Sequence, residues 1–261
     1  MALTGKNAIV TGSTSGIGEA VARTLAAQGC NIMLNGMGEK SVIDGLIAEF
    51  PKKYGIKTVY SGADMSKPAE VKQMVADCNA QLGSVDILVN NAGIQFTAPV
   101  EEFPDEKWDA IIAINLSASF HAIKTAIPLM RKQGFGRIVN IASVHGLVAS
   151  TNKAAYVAAK HGIVGLTKVV ALENAQSNIT MNAICPGWVH TPLVQKQIED
   201  KAKEQGISVE ESTAKLLGEK QPNKRFIKPE NIGAMIAFLC DENGNSMTGE
   251  IITMDGGWLA Q

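Results

Sequence analysis

The segment Thr11-Gly12-Ser13-Thr14-Ser15-Gly16-Ile17-Gly18 joins an apolar, strand-like run to an amphipathic helical pattern. Its glycines permit a tight turn and let an anion approach the start of the helix, where free N–H groups and the helix dipole favour negative charge. The spacing G-x-x-x-G-x-G is not the common G-x-G-x-x-G fingerprint, so a plain glycine-rich turn is the alternative. The position at a strand-to-helix junction favours a nucleotide phosphate site. Its predicted contacts are Gly12, Thr14, Ser15, Gly16, Ile17 and Gly18.

Short apolar runs alternate with longer helical patterns along the rest of the chain, and the runs lack the alternation of half-exposed strands. This rhythm predicts an α/β fold: a single Rossmann-type domain with a doubly wound, mainly parallel seven-stranded sheet and helices on both faces. The predicted strands are Asn7–Thr11, Asn31–Leu34, Lys57–Tyr60, Asp86–Val89, Arg137–Ile141, Thr180–Ile184 and Glu250–Met254. Clear helical patterns are Glu19–Gln28, Pro68–Leu82, Asp105–Arg131, Asn152–Asn174 and Pro229–Leu239.

One segment interrupts the alternation of strand-like and helical patterns. Residues 190–226 are rich in Lys, Glu and Gln and stand between a predicted strand and a predicted helix. The length of this insertion predicts a helical lid over a ligand site, because long connections in compact domains are often active-site lids. A solvated helical hairpin is the alternative. The 261 residues otherwise form one domain, 1–261.

The composition excludes several classes of function. The net charge is −1, so no basic field is available for nucleic acid or an anionic membrane surface. The four cysteines are scattered without metal-like spacing, which suits reduced thiols and predicts no metal site. The N-terminus carries no signal-like region, and we expect no apolar stretch of membrane-spanning length. A soluble, cytoplasmic protein is predicted.

Tyr156 and Lys160 stand four residues apart in an alanine-rich stretch, and Ser143 precedes the tyrosine by thirteen residues. On a helix this spacing places the phenol and the ammonium on one face. A nearby cation stabilises a phenolate and lowers its pKa, which would suit a proton exchange with a substrate oxygen. An ordinary amphipathic helix with a half-buried Tyr and a solvated Lys is the alternative for the spacing alone.

Taken together, the motifs resemble the short-chain dehydrogenase/reductase family over nearly the whole chain. They are the glycine turn, Asp64, Asn90-Asn91-Ala92-Gly93, Asn115, Ser143, Tyr156, Lys160 and Pro186-Gly187. The resemblance implies that Tyr156 is the general acid/base, that Ser143 hydrogen-bonds the substrate oxygen, and that Lys160 holds the nicotinamide ribose and lowers the tyrosine pKa. Asn115 would complete this catalytic tetrad by supporting a water chain.

The same resemblance implies the remaining cofactor contacts. Asp64 would hold the adenine, and a second set would flank the cofactor or its nicotinamide: Asn91, Ala92, Gly93, Pro186, Gly187, Val189 and Thr191. Asn35 follows the second strand, where an acidic residue would bind the adenosine ribose and a basic one a 2′-phosphate. Neither stands in Asn35 to Met37, and no Arg or Lys occupies Ser13 to Ser15, so NAD is favoured over NADP.

Polar residues beside the tetrad point to a small carboxylate. Gln95, His145 and Lys153 each lie within a few residues of a predicted crevice motif. If the helix begins near Thr151-Asn152, which are plausible caps, Lys153 shares a face with Tyr156. A cation and an imidazole near the reacting carbon suit an anionic substrate. Taken singly, the histidine is equally a loop residue and the lysine a solvated one.

Within the family, the chain resembles the bacterial D-3-hydroxybutyrate dehydrogenases in the segments 91–95, 142–150 and 185–189. This resemblance implies that Gln95, His145 and Lys153 bind the substrate carboxylate with a lid glutamine, for which Gln197 is the choice and Gln195 the alternative. It places Trp188 near nicotinamide and substrate, and Trp258 at the pocket, supplied either by the same chain or by a neighbouring subunit of a homotetramer.

The expected reaction is the reversible, NAD-dependent oxidation of (R)-3-hydroxybutyrate to acetoacetate. The alternatives are a 3-oxoacyl-thioester reductase or another alcohol or sugar dehydrogenase of the same family. A catalytically idle nucleotide sensor on this fold is a further alternative, because fold alone does not give function.

Overall fold

The computed structural model describes residues 3–261 and contains one seven-stranded, fully parallel sheet in the order β3-β2-β1-β4-β5-β6-β7. The order reverses at β1, which pairs with β2 on one side and β4 on the other. Such a switch point opens a crevice at the carboxyl ends of the strands. The strands are β1 Asn7–Val10, β2 Asn31–Asn35, β3 Thr58–Ser61, β4 Ile87–Asn90, β5 Gly136–Ile141, β6 Ile179–Pro186 and β7 Ile251–Met254.

Helices cover both faces of this sheet. They are α1 Gly16–Ala27, α2 Lys40–Tyr54, α3 Pro68–Leu82, α4 Asp105–Ile112, α5 Ala118–Gln133, α6 Ala154–Glu173, α7 Pro192–Gln205, α8 Val209–Lys220 and α9 Pro229–Cys240. On one face α1, α2 and α9 bury residues such as Leu25, Phe50 and Ile236. On the other, α3, α5 and α6 bury residues such as Met74 and Met130. The central strands β1, β4, β5 and β6 are buried throughout, which explains why they lack alternation.

The predicted fold class and all seven strands are confirmed, each boundary within two residues. The helical pattern 105–131 contains a π-helical turn at Ala113–Ser117, which divides α4 from α5 without a break in the helical backbone. The predicted start of α6 near Thr151-Asn152 is wrong. Asn152 has a φ of +65°, outside the helical region, and the helix begins at Ala154 with Lys153 as its N-cap residue.

The expectation that no apolar stretch reaches membrane-spanning length is also wrong. Residues Asp105–Gln133 and Ala154–Glu173 are long and apolar enough by length and composition alone. In this fold both segments pack against the sheet through residues such as Ala122 and Val170, and core helices of globular proteins pass the same test. The high hydropathy of these two segments therefore comes from the side that is buried against the sheet and from apolar residues on the outward side.

Polar side chains fasten the carboxyl ends of the central strands to one another. The Thr11 hydroxyl accepts hydrogen bonds from the backbone N–H groups of Asn91 and Ala92, at 2.9 and 3.0 Å. Deeper in the sheet, Asn90 donates to Asn140, which donates to the Thr167 hydroxyl on α6. These buried bonds fix α6, the helix of Tyr156 and Lys160, against the strand ends that line the crevice.

Candidate active site

A cavity of about 550 Å³ lies at the carboxyl edge of the sheet, between the strand ends and helix α7. It runs from the glycine turn after β1, past the ends of β4 and β5, to the segment that follows β6. This size and position are typical of small-molecule sites on doubly wound sheets. Residues from distant parts of the sequence line one continuous space.

The glycine turn forms one end of the cavity. Gly12 and Gly16 have φ values of +62° and +57°, which favour glycine. At Gly18 a Cβ atom would overlap the Gly12 carbonyl and the Asn91 amide, so only glycine lets the turn close. Ser15, the N-cap of α1, makes no side-chain capping bond, and the first N–H groups of the helix have no side-chain acceptor. The turn therefore offers an anion site.

Asn35 supports the turn from beneath. Its Oδ1 accepts from the Gly12 N–H at 3.2 Å, and its Nδ2 donates to the carbonyls of Ser61 and Ala63, both at 3.1 Å. The residue borders the cavity but is fully buried. Because its polar side-chain atoms all have protein partners, Asn35 shapes the turn and has no free donor for a ribose.

Ser143, Tyr156 and Lys160 meet halfway along the cavity. Ser143 follows β5, and its Oγ accepts from the backbone N–H of His145 at 3.2 Å. Tyr156 and Lys160 are one turn apart on α6, with the Lys160 Nζ 5.5 Å from the centre of the tyrosine ring. The buried ammonium donates to the Ile141 carbonyl at 2.7 Å. The serine, phenol and ammonium predicted from sequence thus share one site.

Burial controls the ionisation of this group. It lowers the pKa of Lys160 to about 8, because the ammonium is removed from water. It also raises the pKa of the Tyr156 phenol, against the smaller opposing effect of a hydrogen bond with Ser143. The predicted lowering of the tyrosine pKa by Lys160 is not found in this arrangement. The ammonium is turned toward the Ile141 carbonyl, and desolvation of the phenolate dominates.

Lys153, a partly buried cation without an ion-pair partner in the described part of the chain, lies at the end of the cavity away from the glycine turn. Lys153 lines the cavity with its Nζ 5.6 Å from the centre of the Trp188 ring, and burial lowers its pKa. Within residues 3–261 no carboxylate stands within ion-pair distance of it. Gln95 and Gln197 line the same space. A desolvated ammonium without a counter-ion favours an anionic ligand.

His145 lies between this cation and the tyrosine. Its Nε2 is 2.9 Å from the Ser150 hydroxyl and its Nδ1 is 3.4 Å from that of Ser143. Burial, followed by the charge of Lys153, lowers the histidine pKa to about 4, so the imidazole is neutral near pH 7. Both ring nitrogens have hydroxyl neighbours. A carboxylate would reach His145 only by sharing or displacing one of them.

Two tryptophans form the wall beside His145. The Trp188 and Trp258 rings have centres 6.2 Å apart, and Trp258 lies 5.6 Å from the imidazole. Trp258 is 8% exposed and lines the cavity of its own chain. Of the two α7 glutamines predicted as substrate contacts, Gln197 lines the cavity, whereas Gln195 bonds to His190 and Glu199 outside it.

Comparison with known proteins agrees with this geometry. A family model described as enoyl-(acyl carrier protein) reductase matches residues 12–259. A D-beta-hydroxybutyrate dehydrogenase from Cupriavidus necator is 55% identical over 259 residues, covering 99% of this chain and 100% of the relative. The chain belongs to the short-chain dehydrogenase/reductase family. It is therefore an oxidoreductase of that family.

Other members extend the similarity. A D-beta-hydroxybutyrate dehydrogenase from Rhizobium meliloti is 52% identical and covers 98% of this chain and 99% of the relative. The crystal structure of L-sorbose reductase from Gluconobacter frateurii, complexed with NADPH and L-sorbose, is 30% identical with a TM-score of 0.95. That comparison covers 100% of this chain and 98% of the reductase. The family fold therefore extends over the whole length.

Most site residues suggested by the family resemblance line the cavity; Gly18, Asp64 and Asn115 do not. Gly18 packs beneath the turn. The Asp64 carboxylate accepts from the N–H and hydroxyl of Ser66. Asn115 is buried in the π-helical turn, and its amide bonds both the N–H and the C=O of Ile94, at 2.8 and 2.9 Å. Its side chain thus fixes the loop that presents Gln95.

Some residues that line the cavity were not predicted as site residues from the sequence. They are mostly apolar or glycine residues that follow strand ends or begin α7, and they carry no distinctive chemistry: Gly36, Met37, Ala63, Met65, Ile94, Ile114, Ile141, Ala142, Val144, Pro192, Leu193 and Val194. The position just after a strand was the one available signal. It would have indicated Gly36, Met37 and Ala63 as well as Ala142.

Gly18→Ala should weaken nucleotide binding and lower the free energy of unfolding by about 1–3 kcal/mol, because the added methyl group overlaps Gly12 and Asn91. Urea denaturation and titration with NADH or NADPH, followed by nucleotide fluorescence, measure the two effects. Gly45→Ala on α2 is the matched control, since a Cβ there meets nothing within 4 Å. Equal behaviour of the two variants would contradict the assignment of Gly18.

Proposed function

We propose that this protein is an NAD-dependent D-3-hydroxybutyrate dehydrogenase that interconverts (R)-3-hydroxybutyrate and acetoacetate. The observation that carries the proposal is the unpaired Lys153 ammonium, in the cavity that also holds Ser143, Tyr156 and Lys160. A short hydroxy acid can place its carboxylate at Lys153 and its hydroxyl at Tyr156. The two relatives named D-beta-hydroxybutyrate dehydrogenase support the same substrate.

Each residue has a role in this reaction that follows from its chemistry. When bound, NAD supplies the hydride acceptor. Tyr156 takes the hydroxyl proton of the substrate during oxidation and returns it during reduction, while Ser143 hydrogen-bonds the same oxygen. Lys160 keeps a positive charge beside the phenol, and Asn115 positions the Ile94–Gln95 loop. Gln95, Gln197, Lys153 and His145 orient the carboxylate.

The direction of the tyrosine pKa affects the pH dependence of the proposed reaction. A raised pKa keeps Tyr156 protonated at neutral pH, which suits donation of a proton to the ketone of acetoacetate. Oxidation requires the phenolate, whose population grows as pH rises toward that pKa. The oxidation of 3-hydroxybutyrate should therefore be favoured at alkaline pH and the reduction of acetoacetate at lower pH.

We propose NAD over NADP because of the charge of the residues that would surround the adenosine end of the cofactor. The glycine turn lines the cavity, and the first N–H groups of α1 have no side-chain acceptor, so the turn fits a pyrophosphate. Beyond it the cavity is lined by Thr14, Gly36 and Met37, with no Arg or Lys among the described residues there. A 2′-phosphate would meet no cation. Asp64 accepts from Ser66 through Oδ1 alone, so its Oδ2 can still accept a hydrogen bond from the adenine.

The acyl-thioester reductase alternative is not favoured. A thioester substrate carries a long pantetheine arm and has no free carboxylate to pair with Lys153. The tryptophan wall of Trp188 and Trp258 and the helix α7 border the end of the cavity that holds this cation. A compact, anionic hydroxy acid suits these surroundings better than an extended thioester.

We also propose that residues 190–226 form the lid of a single domain and that the protein acts in the cytoplasm as a homotetramer. Helices α7 and α8 occupy the insertion, and Gln197 of α7 reaches the cavity. Support for assembly comes from the outward side of α5 and α6, where Phe120, Val169 and Leu172 are 44%, 52% and 78% exposed. Apolar surface of this kind is typical of subunit contacts.

Steady-state assays with 3-hydroxybutyrate test the proposed function. The R enantiomer and NAD should give turnover that the S enantiomer and acyl thioesters do not.

Lys153→Ala should raise KM for 3-hydroxybutyrate roughly 10- to 100-fold, because a charge-assisted bond to the carboxylate is lost. Tyr156→Phe should lower kcat by at least about 100-fold while NADH binding persists. Lys132→Ala, an exposed lysine on α5, is the control. An unchanged KM in Lys153→Ala would contradict the carboxylate site.

The cofactor preference is testable at one residue. NAD should support turnover at least about tenfold better than NADP at equal concentration, since a 2′-phosphate finds no counter-charge. Met37→Arg should raise kcat/KM for NADP without a matching gain for NAD, because Met37 lines the adenosine end and is 69% exposed. A wild-type preference for NADPH would overturn the assignment.

The proposed assembly can be measured by size-exclusion chromatography with light scattering. The wild type should elute as four copies, and Leu172→Glu should give a smaller species because it buries a charge in the apolar contact. Val42→Glu on α2, which is also exposed, should leave the assembly unchanged. A monomeric wild type would refute the tetramer.

A further inference from the structure

Gln221 is a buried residue at the base of the lid, directly after α8, with 1% of its surface exposed. It does not line the cavity, yet its side-chain amide bonds to the cavity wall. Its Oε1 accepts from the backbone N–H of Trp188 at 2.9 Å. Its Nε2 donates to the carbonyl of Arg225. Both partners are backbone groups of fixed polarity, so the orientation of the amide is determined.

The hydrogen bond to Trp188 replaces a missing sheet partner. Strand β6 ends at Pro186, and the next N–H, that of Gly187, still pairs with Met254 of β7. The N–H of Trp188 has passed the sheet and bonds to Gln221, while its carbonyl accepts from the Ile227 N–H at 2.9 Å. Without the glutamine this partly buried backbone donor has no protein partner.

The same side chain is also packed between two glycines. A Cβ at Gly187 would lie 2.7 Å from the Gln221 Oε1, and one at Gly256 would lie 2.6 Å from its Cγ. The carbonyl of Gly256 in turn accepts from the Asn223 N–H at 3.1 Å. Gly187 directly precedes Trp188, and Gly256 stands two residues before Trp258. Gln221 therefore spaces the two segments that carry the tryptophan wall.

We propose that Gln221 is a specificity-determining positioning residue: its amide holds the Trp188 and Trp258 segments at a fixed separation and so sets the shape of the substrate pocket. This inference rests on the proposed function. Glutamine is required because the site needs an acceptor and a donor on one planar group. Glu lacks the donor that faces the Arg225 carbonyl, Leu lacks both groups, and Asn is too short to reach both segments.

The test uses Gln221→Glu and Gln221→Leu in the full-length protein. Both variants should raise KM for (R)-3-hydroxybutyrate about tenfold or more, because displacement of a pocket wall by a fraction of an ångström misplaces the substrate. KM for NAD should change less than KM for the hydroxy acid, since only the nicotinamide end of the cofactor would lie beside the wall and the adenosine end is distant from it. Discrimination against (R)-3-hydroxypentanoate, longer by one methylene, should fall. Gln205→Glu, an exposed lid residue with the same change of charge, should behave as wild type.

A fluorescence measurement separates this inference from the proposed function. In a Trp108→Phe background the two wall tryptophans are the only ones left of three. In this background Gln221→Glu should increase the quenching of tryptophan fluorescence by acrylamide. This effect does not depend on whether the enzyme turns over 3-hydroxybutyrate. Absence of turnover by the wild type refutes the proposed function but leaves this readout intact. The role of Gln221 is overturned if the variants change neither KM for the hydroxy acid nor the quenching. It is also overturned if kcat falls while KM is unchanged, because that result indicates only a smaller fraction of folded protein.

Discussion

The site depends on one close approach, between the turn after β1 and the end of β4. The Asn91 amide donates to the carbonyls of Thr11 and Gly12, at 2.8 and 3.1 Å, and Thr11 accepts the two N–H groups that follow β4. Gly18 must be glycine for the helix to begin so close. Because parallel strands present their carboxyl ends at one edge, this single junction fixes the N-terminus of α1 next to the loop that leads to Gln95.

A second constraint is the desolvation of charge. The protein as a whole is nearly neutral, yet two lysines line one cavity, and burial lowers the pKa of both Lys153 and Lys160. Lys160 keeps a carbonyl partner at Ile141, whereas Lys153 faces an aromatic ring and the open cavity. An anion at Lys153 would offset the cost of its burial. The same low-polarity environment keeps His145 neutral, so it can act as a hydrogen-bonding group without adding a third cation.

The pocket is assembled from segments that meet only in the folded chain. Lys153 caps α6, His145 follows β5, Trp188 follows β6, and Trp258 lies in the last turn of the chain. Polar side chains that never touch the cavity hold these pieces in place. Asn115 fixes the loop after β4 through Ile94, and Gln221 joins the base of the lid to the tryptophan wall. Substrate fit is thus shared between lining residues and the residues behind them.

The sequence by itself determined the sheet and the identity of most site residues. Buried parallel strands are continuous apolar runs, and the turn after β1 needs glycines at fixed positions, so both leave marks that can be read directly. The Tyr156–Lys160 spacing and the family motifs located the chemistry, because they are local in the chain. Even the absence of a cation after β2 could be read from Asn35 to Met37.

Tertiary structure alone decided what surrounds those residues. Asn152 adopts a positive φ and delays the start of α6, which turns Lys153 into a cap residue at the cavity mouth. Burial raises the pKa of Tyr156 against the predicted effect of Lys160, and Asn115 faces Ile94 instead of the cavity. The positions of Gln197 and Trp258 in the cavity, of Gln195 outside it, and the contact of Gln221 with Trp188 arise from packing. These features depend on distances between residues far apart in sequence, and no local pattern encodes them.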